Sequence, residues 1–190
     1  RIMETGEFIS NTIIKAKDLG IPKEINLNFN NSIINLVTGT KQFDLTSKFG
    51  SVTIQKSFMF NSDSYGIEQQ IVVYNKSNSN LVFRVFEESI GQVDAAEHNV
   101  MGYFLDEDME KVDSPPSETE KIIGNIDWYG FSKKYFLASN ILSNTDEKTL
   151  KYSKYSKSSI RSVLSYKTIN LMPGASYTTS STIFLGPKIG

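Results

Sequence analysis

Cysteine is absent from the 190-residue sequence, and histidine occurs once, as His98. The absence of cysteine excludes disulfide bonds, thiolate catalysis and zinc sites with sulfur ligands. It is compatible with a reducing cytosol and with a bacterial periplasm, so it does not choose a compartment. A serine hydrolase would have to use His98, because these enzymes usually take their general base from histidine.

Long apolar runs and a strong net charge are missing as well. No run approaches the ~18 apolar residues that a membrane-spanning helix requires. With 20 basic and 21 acidic residues the net charge is −1, so no global field would draw the chain to nucleic acid or to an anionic membrane. Binding of such partners by a small local patch stays open.

The length of the chain and its hydrophobic share of 39% fit one domain, residues 1–190. The chain begins at Arg1 without a signal segment and stops soon after Gly186-Pro187-Lys188. We therefore expect both ends to be cuts from a longer protein.

Amphipathic helical periodicity is missing too, and the alternation with period two that is typical of half-buried strands recurs along the chain. Residues 52–60 and 67–74 form a predicted hairpin, and residues 81–86 continue it as an antiparallel meander. Lys56 is the exception on the apolar face of the first of these strands. The other predicted strands are residues 7–17, 24–29, 33–37, 119–123, 160–169 and 176–185, with a Pro173-Gly174 turn before the last.

Residues 87–117 differ from their surroundings: they carry acidic clusters and the sequence Ser114-Pro115-Pro116-Ser117, which no strand interior accepts. We interpret them as a long surface excursion with one short strand near residues 100–105 and a helical turn. About a dozen strands remain, more than a single open sheet usually holds. The sequence therefore predicts an all-β fold, a sandwich of two large, mainly antiparallel sheets with little helix.

The only tryptophan lies in residues 126–142, which are predicted to form a buried β-hairpin. Aromatic side chains bury roughly 150–250 Å² each, so several in one hairpin should anchor a core. The aromatic residues expected in the core are Trp128, Phe131, Tyr135 and Phe136. Trp128 in particular is predicted to be largely buried.

No constellation of residues predicts catalysis, a cofactor or a metal. The segment Gly174-Ala175-Ser176-Tyr177-Thr178 begins like a nucleophile elbow, but Thr178 stands where the second glycine belongs. An acidic group misses the spacing of a calcium loop and is interpreted as a solvated loop. Its members are Asp106, Glu107, Asp108, Glu110 and Asp113. A carboxylate pair for glycoside cleavage stays open, because the separation of the two groups is a three-dimensional quantity.

Residues 147–159 repeat the unit Lys-Tyr-Ser, at 151–153 and again at 154–156. Alternating lysine and tyrosine is one way to bind single-stranded nucleic acid, because bases stack on aromatic rings. The balanced charge elsewhere argues against this, and we expect no nucleic-acid partner. The segment is instead interpreted as a solvated edge strand whose lysines discourage pairing with other chains.

Two stretches resemble a known family. Residues 128–138, WYGFSKKYFLA, are similar to the tryptophan segment of the large periplasmic domain of YidC-type membrane protein insertases, which ends in a Tyr-Phe-x-x-Ala pattern. Residues 171–174 and 181–188 resemble that domain's closing Pro-Gly turn, last strand and Gly-Pro-Lys exit. Weaker matches in the same order are residues 6–15, where Glu7 replaces the family's usual second glycine, and the hairpin at 58–75.

The resemblance implies a β-supersandwich inserted between the first and second transmembrane helices of a bacterial inner-membrane insertase, with this domain in the periplasm. It implies no enzymatic activity, and no catalytic, cofactor-binding or metal-binding residue in this chain. Membrane attachment would come from transmembrane helices outside it. The expected partners are the translocon with its accessory subunits and nascent membrane protein segments, and the resemblance assigns no residues to the surface that binds them.

Two alternatives remain at this stage. Supersandwich folds also occur in mutarotase-like, sugar-processing proteins, so carbohydrate binding through exposed Tyr103, Tyr152 or Tyr155 is open. An exposed sheet edge is also able to take up an extended polypeptide as an extra strand through main-chain hydrogen bonds.

Overall fold

The computed structural model describes residues 8–17, 25–26 and 38–188. Within these ranges the chain forms fifteen β-strands and one short 3₁₀ turn, Ala95–Glu97. The strands are β1 (Phe8–Lys17), β2 (Ile25–Asn26), β3 (Thr40–Phe49), β4 (Val52–Asn61), β5 (Gly66–Asn75), β6 (Leu81–Gln92), β7 (Val100–Leu105), β8 (Asp108–Val112), β9 (Glu120–Gly124), β10 (Ile126–Ser132), β11 (Phe136–Leu142), β12 (Lys148–Ser156), β13 (Ser159–Ser165), β14 (Ile169–Leu171) and β15 (Ser176–Pro187). The predicted all-β class is confirmed.

The strands form two large antiparallel sheets. The first sheet has the order β2-β1-β6-β13-β12-β9, with β14 also paired to β6, and the second has the order β3-β4-β5-β15-β11-β10-β7-β8. This arrangement confirms the predicted pair of sheets. No helix in the described ranges has the length and apolar character needed to cross a bilayer.

The core lies between the sheets, where alternate residues of each strand point inward. Ile14 and Val85 of the first sheet and Tyr129 of the second are at most 1% exposed. The sheets approach closely at Gly91 of β6, where an added Cβ would lie 2.3 Å from Cγ of Phe131 in β10. The packing of the Phe131 ring therefore depends on a residue without a side chain.

The β4–β5 hairpin is confirmed, but the predicted meander is wrong beyond it. β6 pairs with β1 and β13 in the first sheet, while the free edge of β5 pairs with β15. Asn75 fixes the crossover, because its side-chain amide donates to Ser79 O at 2.8 Å and to Leu171 O at 2.9 Å. The polar link after β5 therefore leads to the other sheet instead of turning back.

β3 is a ten-residue strand that the sequence reasoning did not predict, although its half-buried Phe43, Leu45 and Phe49 alternate with exposed polar residues. It pairs with β4 across a two-residue turn. Gly50 of that turn has φ 56°, the left-handed conformation that glycine adopts without strain. The predicted strand at 33–37 and most of the one at 24–29 lie outside the described residues.

The predicted surface excursion at residues 87–117 is wrong at its start. β6 runs on to Gln92, and Glu87, Glu88 and Ser89 are buried within it. Carboxylates are rarely buried without partners, which is why the sequence indicates an earlier end of the strand. The short strand and the helical turn are confirmed as β7 and the 3₁₀ turn, and β8 adds a second strand. β7 is not a surface excursion, however, because it lies within the second sheet and its Met101 and Tyr103 are buried.

The predicted edge strand at residues 147–159 is also wrong. β12 lies between β13 and β9, with Thr149 to Tyr152 paired on both sides. Leu150 is fully buried. Only the second Lys-Tyr-Ser unit extends past β9, and it leads into the exposed turn before β13. The first unit therefore contributes to the core, and the second is a surface feature.

The turn between β7 and β8 carries two residues in an unfavourable backbone conformation, Asp106 with φ 48° and Glu107 with φ 75°. Consecutive positive φ values are typical of a type I′ turn, whose second position favours glycine. We expect Glu107→Gly to raise the free energy of unfolding by about 0.5–1 kcal/mol, as relief of left-handed strain exceeds the added chain entropy. Urea denaturation measures the change. Glu107→Ala, which removes the same charge but keeps a Cβ, should give no comparable gain.

Candidate functional site

The hairpin at residues 126–142 is confirmed as β10 and β11, but the prediction for its aromatic residues is only partly right. Tyr129 and Phe131 point into the core, while Tyr135 and Phe136 are 64% and 38% exposed at the turn. Trp128 is half-buried on the outer face of the second sheet. The prediction that Trp128, Tyr135 and Phe136 all lie in the core is therefore wrong.

A β-bulge explains the outward direction of Trp128. The register between β10 and β7 shifts between Ile126 and Trp128, so that Ile126 and Tyr129, three residues apart, both point inward. One extra residue in a strand reverses the alternation beyond it. Trp128 consequently stands on the solvent side, beside its cross-strand neighbours Phe104 and Ile141.

Trp128 lines a groove of about 720 Å³ on this outer face. The indole ring lies over Gly102 of β7, where an added Cβ would be 3.2 Å from the ring. Met109 of β8 and Leu137 of β11 supply further apolar surface, and Lys188 lies at the rim. The groove is thus a largely apolar surface built from β7, β8, β10 and β11, to which Lys111, Asp113 and Ser132 add polar side chains.

His98 also lines this groove. It ends the 3₁₀ turn in a left-handed conformation, with φ 57°, and its side chain is exposed. The segment that we compared with a nucleophile elbow, residues 174–178, does not line this groove. Its Gly174 is in the turn that precedes strand β15. A nucleophile elbow requires a turn from strand to helix, so this turn does not fit one.

The acidic residues of the predicted solvated loop form a hairpin tip and an exposed strand. Asp106 and Glu107 occupy the β7–β8 turn, and Asp108 and Glu110 are exposed on β8. Among the described residues, no three His, Asp or Glu side chains are grouped so as to hold a metal ion.

The tyrosines considered for carbohydrate binding divide into two classes. Tyr103 and Tyr152 are 6% and 9% exposed and contact each other, with ring centroids 6.2 Å apart. Burial raises the pKa of Tyr103 to about 12. Only Tyr155 is exposed, so the expectation of a sugar platform on Tyr103 or Tyr152 is wrong.

A second hollow, of about 320 Å³, lies across β3, β4, β5 and β15 of the second sheet. Its lining is polar, with Gln42, Ser57, Glu68 and Gln70, and it contains no aromatic side chain. Small-molecule sites usually combine a few polar groups with hydrophobic or aromatic walls. This hollow lacks the aromatic wall, whereas the Trp128 groove combines an aromatic ring with polar side chains such as Lys111, Asp113 and Ser132.

A buried polar cluster joins the sheets. Lys56 of β4 is 4% exposed, and its Nζ donates to the hydroxyl of Thr12 in β1. That hydroxyl donates to Glu87 Oε2 at 2.9 Å, while Gln69 Nε2 donates to Glu87 Oε1 at 3.0 Å and to Ser181 Oγ at 3.2 Å. Glu87 is 2% exposed, so this carboxyl and its lysine are both removed from water.

The two charged groups of this cluster are both driven towards their neutral forms. Burial raises the pKa of Glu87, and Lys56 opposes that shift. Burial likewise lowers the pKa of Lys56, and Glu87 opposes it. Such a pair is characteristic of active sites, but it is also found in structural ion-pair networks. Neither Lys56 nor Glu87 lines the groove or the hollow, although their partners Gln69 and Ser181 line the hollow.

Two further polar contacts surround the cluster. Asn140 Nδ2 donates to the hydroxyl oxygen of the fully buried Tyr129 at 2.9 Å. On the other face of β6, Glu88 accepts from Arg161 and from Asn11. The sequence signals Lys56 as an anomaly on an apolar face, but it contains no signal that Glu87, in a different strand and sheet, is its counterpart.

A sequence model of the YidC periplasmic domain matches residues 23–190. Curated relatives include the membrane protein insertases YidC of Syntrophus aciditrophicus (strain SB) and Pelobacter propionicus (strain DSM 2379 / NBRC 103807 / OttBd1). The first is 28% identical over 146 residues, 73% of this chain and 27% of the relative. The second is 28% identical over 157 residues, 78% of this chain and 29% of the relative. The chain thus spans less than a third of the length of these relatives.

Solved structures share the fold at much lower identity. The GH36 α-galactosidase AgaB from Geobacillus stearothermophilus matches with a TM-score of 0.62 and 8% identity, over 96% of this chain and 28% of that one. A putative aldose 1-epimerase from Escherichia coli K12 matches with a TM-score of 0.56 and 11% identity, over 77% of this chain and 66% of that one. These likenesses concern the fold alone. The sequence match over most of the chain, together with the two-sheet fold, identifies it as a member of the YidC periplasmic domain family.

Proposed function

We propose that residues 1–190 form one periplasmic domain of a YidC-type membrane protein insertase, held at the bacterial inner membrane by transmembrane helices outside this chain. Its role is binding without catalysis: it contacts accessory translocon subunits or nascent membrane protein segments. The observation that carries the proposal is the apolar groove around Trp128 on the outer face of the second sheet. Membership of the insertase family supports the choice of partners.

The chemistry of the groove suits an apolar polypeptide segment. Its volume of about 720 Å³ lies within the ~300–1,000 Å³ of sites that enclose a ligand. Met109 is 51% exposed, and methionine adapts its shape to different apolar partners. Trp128 and Leu137 add rigid and branched apolar surface, so variable hydrophobic side chains find contacts without strict selection.

The titratable residues support binding over catalysis. His98 is exposed at the groove. Lys56, Glu87 and Tyr129, whose pKa values are shifted by burial, are enclosed between the two sheets. A catalytic acid or base has to reach a substrate proton within hydrogen-bonding distance. None of these three buried groups lines the groove or the hollow.

Site-specific photocrosslinking in the full-length insertase tests the groove. A photoreactive amino acid at Met109 should label a nascent membrane protein during insertion. The matched control is Ile123 of β9, which has the same 51% exposure but lies in the first sheet, away from the groove. Labelling at Ile123 and not at Met109 would place the polypeptide at the β9 edge and contradict the groove.

Titration with mono- and oligosaccharides tests the carbohydrate alternative. Trp128 lies in the groove, so its fluorescence reports occupancy there. We expect no saturable change in fluorescence with any sugar. A saturable change in Trp128 fluorescence would favour the sugar-binding alternative.

A further inference from the structure

The chain enters and leaves the described sandwich at the same end. The first residue of β1, Phe8, pairs with Gly91 near the end of β6. The last residue of β15, Pro187, pairs with Phe136 at the start of β11. The Phe131 ring covers Gly91, so these two places lie at one level of the two sheets. We call this the terminal end.

Two turns that combine lysine with an exposed tyrosine lie at the terminal end. The β10–β11 turn contains Lys133, Lys134 and Tyr135, and Tyr135 is 64% exposed. The end of β12 and the β12–β13 turn contain the sequence Lys-Tyr-Ser-Lys at residues 154–157, and Tyr155 is 59% exposed. These turns belong to different sheets but project from the same end.

Lys188 adds a further positive charge beside the first turn. Its backbone amide donates to Tyr135 O at 2.9 Å, and its side chain is exposed. Lys134 Nζ lies 5.1 Å from the centroid of the Tyr135 ring. Within the described chain, Lys134, Lys154, Lys157 and Lys188 form no ion pair with a carboxylate.

The opposite end of the sandwich carries both signs of charge, because Lys48, Lys76 and Lys167 lie there together with acidic turns. Its turns contain Asp106 and Glu107 between β7 and β8, and Asp146 and Glu147 between β11 and β12. At the terminal end, acidic residues lie in the β4–β5, β6–β7 and β8–β9 connections, namely Asp63, Asp94, Glu97, Asp113 and Glu118. The positive charge is therefore local to the two lysine–tyrosine segments, residues 133–135 and 154–157, which contain no acidic residue.

We propose that the two lysine–tyrosine turns bind the anionic phospholipid headgroups of a membrane surface. Lysines near an anionic bilayer gain electrostatic attraction, and tyrosine places an apolar ring and a polar hydroxyl at the boundary between lipid and water. The terminal end is also where this chain connects to the remainder of a membrane protein, according to the proposed function. The inference rests on that function only for the presence of a membrane at this end.

Membrane contact here would also orient the groove. Lys188 lies at the groove rim and beside the Tyr135 turn, so the groove opens next to the headgroups. An apolar segment that approaches the bilayer surface would then meet Trp128 before it enters the lipid. The lysine–tyrosine turns would therefore hold the domain at the membrane surface, and the groove would bind the apolar polypeptide segment.

Sedimentation of the chain with phospholipid vesicles tests the proposal. We expect binding to vesicles of phosphatidylcholine mixed with phosphatidylglycerol, weak binding to phosphatidylcholine alone, and loss of binding at high salt. The double variants Lys133→Glu/Lys134→Glu and Lys154→Glu/Lys157→Glu should each weaken binding by about tenfold or more. Tyr135→Ala should weaken binding by a smaller factor at low salt.

The matched control is Lys48→Glu/Lys76→Glu, which reverses two exposed charges away from the terminal end. It should bind vesicles as the unmodified chain does. Equal losses in this control, or equal binding to charged and neutral vesicles, would overturn the proposal. Absence of vesicle binding combined with capture of a translocon subunit by the same turns would also overturn it, in favour of a protein-docking surface. The Met109 crosslinking result is independent of all these outcomes.

Discussion

Replacing Lys56 with methionine is expected to lower the free energy of unfolding by about 3–5 kcal/mol, because it leaves a buried carboxyl without its cation. Glu87 is 2% exposed and accepts hydrogen bonds from Thr12 and Gln69, so it has no route to water in the folded chain. Methionine is close to lysine in length and apolar stem, and loss of packing therefore contributes little. Urea denaturation followed by Trp128 fluorescence measures the change.

The double variant Lys56→Met/Glu87→Leu separates the charge from the packing. Replacement of both members of a buried ion pair by apolar residues is often neutral or stabilising, because two desolvation costs disappear together. We expect the double variant to recover most of the stability lost in the single one. If it is no more stable than Lys56→Met, the unpaired charge is not the cause of the loss.

The pH dependence of Lys56→Met gives a second test of the same cause. Burial raises the pKa of Glu87 above its ordinary value of 4.5, and loss of Lys56 removes the main opposing influence. The folded variant then holds a proton that the unfolded chain releases, so its stability falls as pH rises from about the unfolded pKa towards the folded one. Its deficit relative to the unmodified chain should be larger at neutral pH than near pH 4.5. Equal deficits at both pH values would show that Glu87 does not titrate in this way.

Local sequence determines most of the strands, but not the sheet to which each belongs. Alternation and turn residues predict β4, β5 and the start of β6 because these signals lie within a few residues. The crossover after β5 depends on β15 occupying the other edge of β5, about a hundred residues later in the chain. A meander and a crossover have the same local pattern, so the sequence reasoning chose the wrong one.

The candidate site was less predictable for a similar reason. The aromatic content of residues 126–142 predicts a packed hairpin, but the bulge beside Trp128 decides which rings face the core. Lys56 signals a buried charge, whereas its counterpart Glu87 lies on the first sheet and resembles the start of a polar loop. The groove combines Gly102, Met109 and Leu137 with Trp128, and none of these residues carries a signal on its own.

Gly91→Ala is the second change expected to have a large effect, a loss of about 3 kcal/mol in the free energy of unfolding or more. A Cβ on residue 91 would lie 2.3–2.7 Å from three carbon atoms of the Phe131 ring, far inside contact distance. The ring is itself enclosed, as Phe131 is 6% exposed, and has little space into which to move. The two sheets would have to separate locally or Phe131 would have to leave its rotamer. Thermal or urea unfolding measures the loss.

Gly102→Ala is the matched control for this change. Its added Cβ would lie 3.2 Å from the Trp128 ring, which faces the groove and is able to shift outward. We expect a loss below about 1 kcal/mol, within the ordinary range for changes that the surface accommodates. Phe131→Ala alone should cost about 3–5 kcal/mol through the cavity that it leaves.

The double variant Gly91→Ala/Phe131→Ala then decides whether the two positions act through one contact. Removal of the ring removes the clash, and the new methyl group fills part of the cavity. The combined loss should therefore be smaller than the sum of the two single losses, by an amount typical of directly contacting residues. Additive losses would mean that Gly91 is required for the backbone of β6 rather than for the close approach of the two sheets at Phe131.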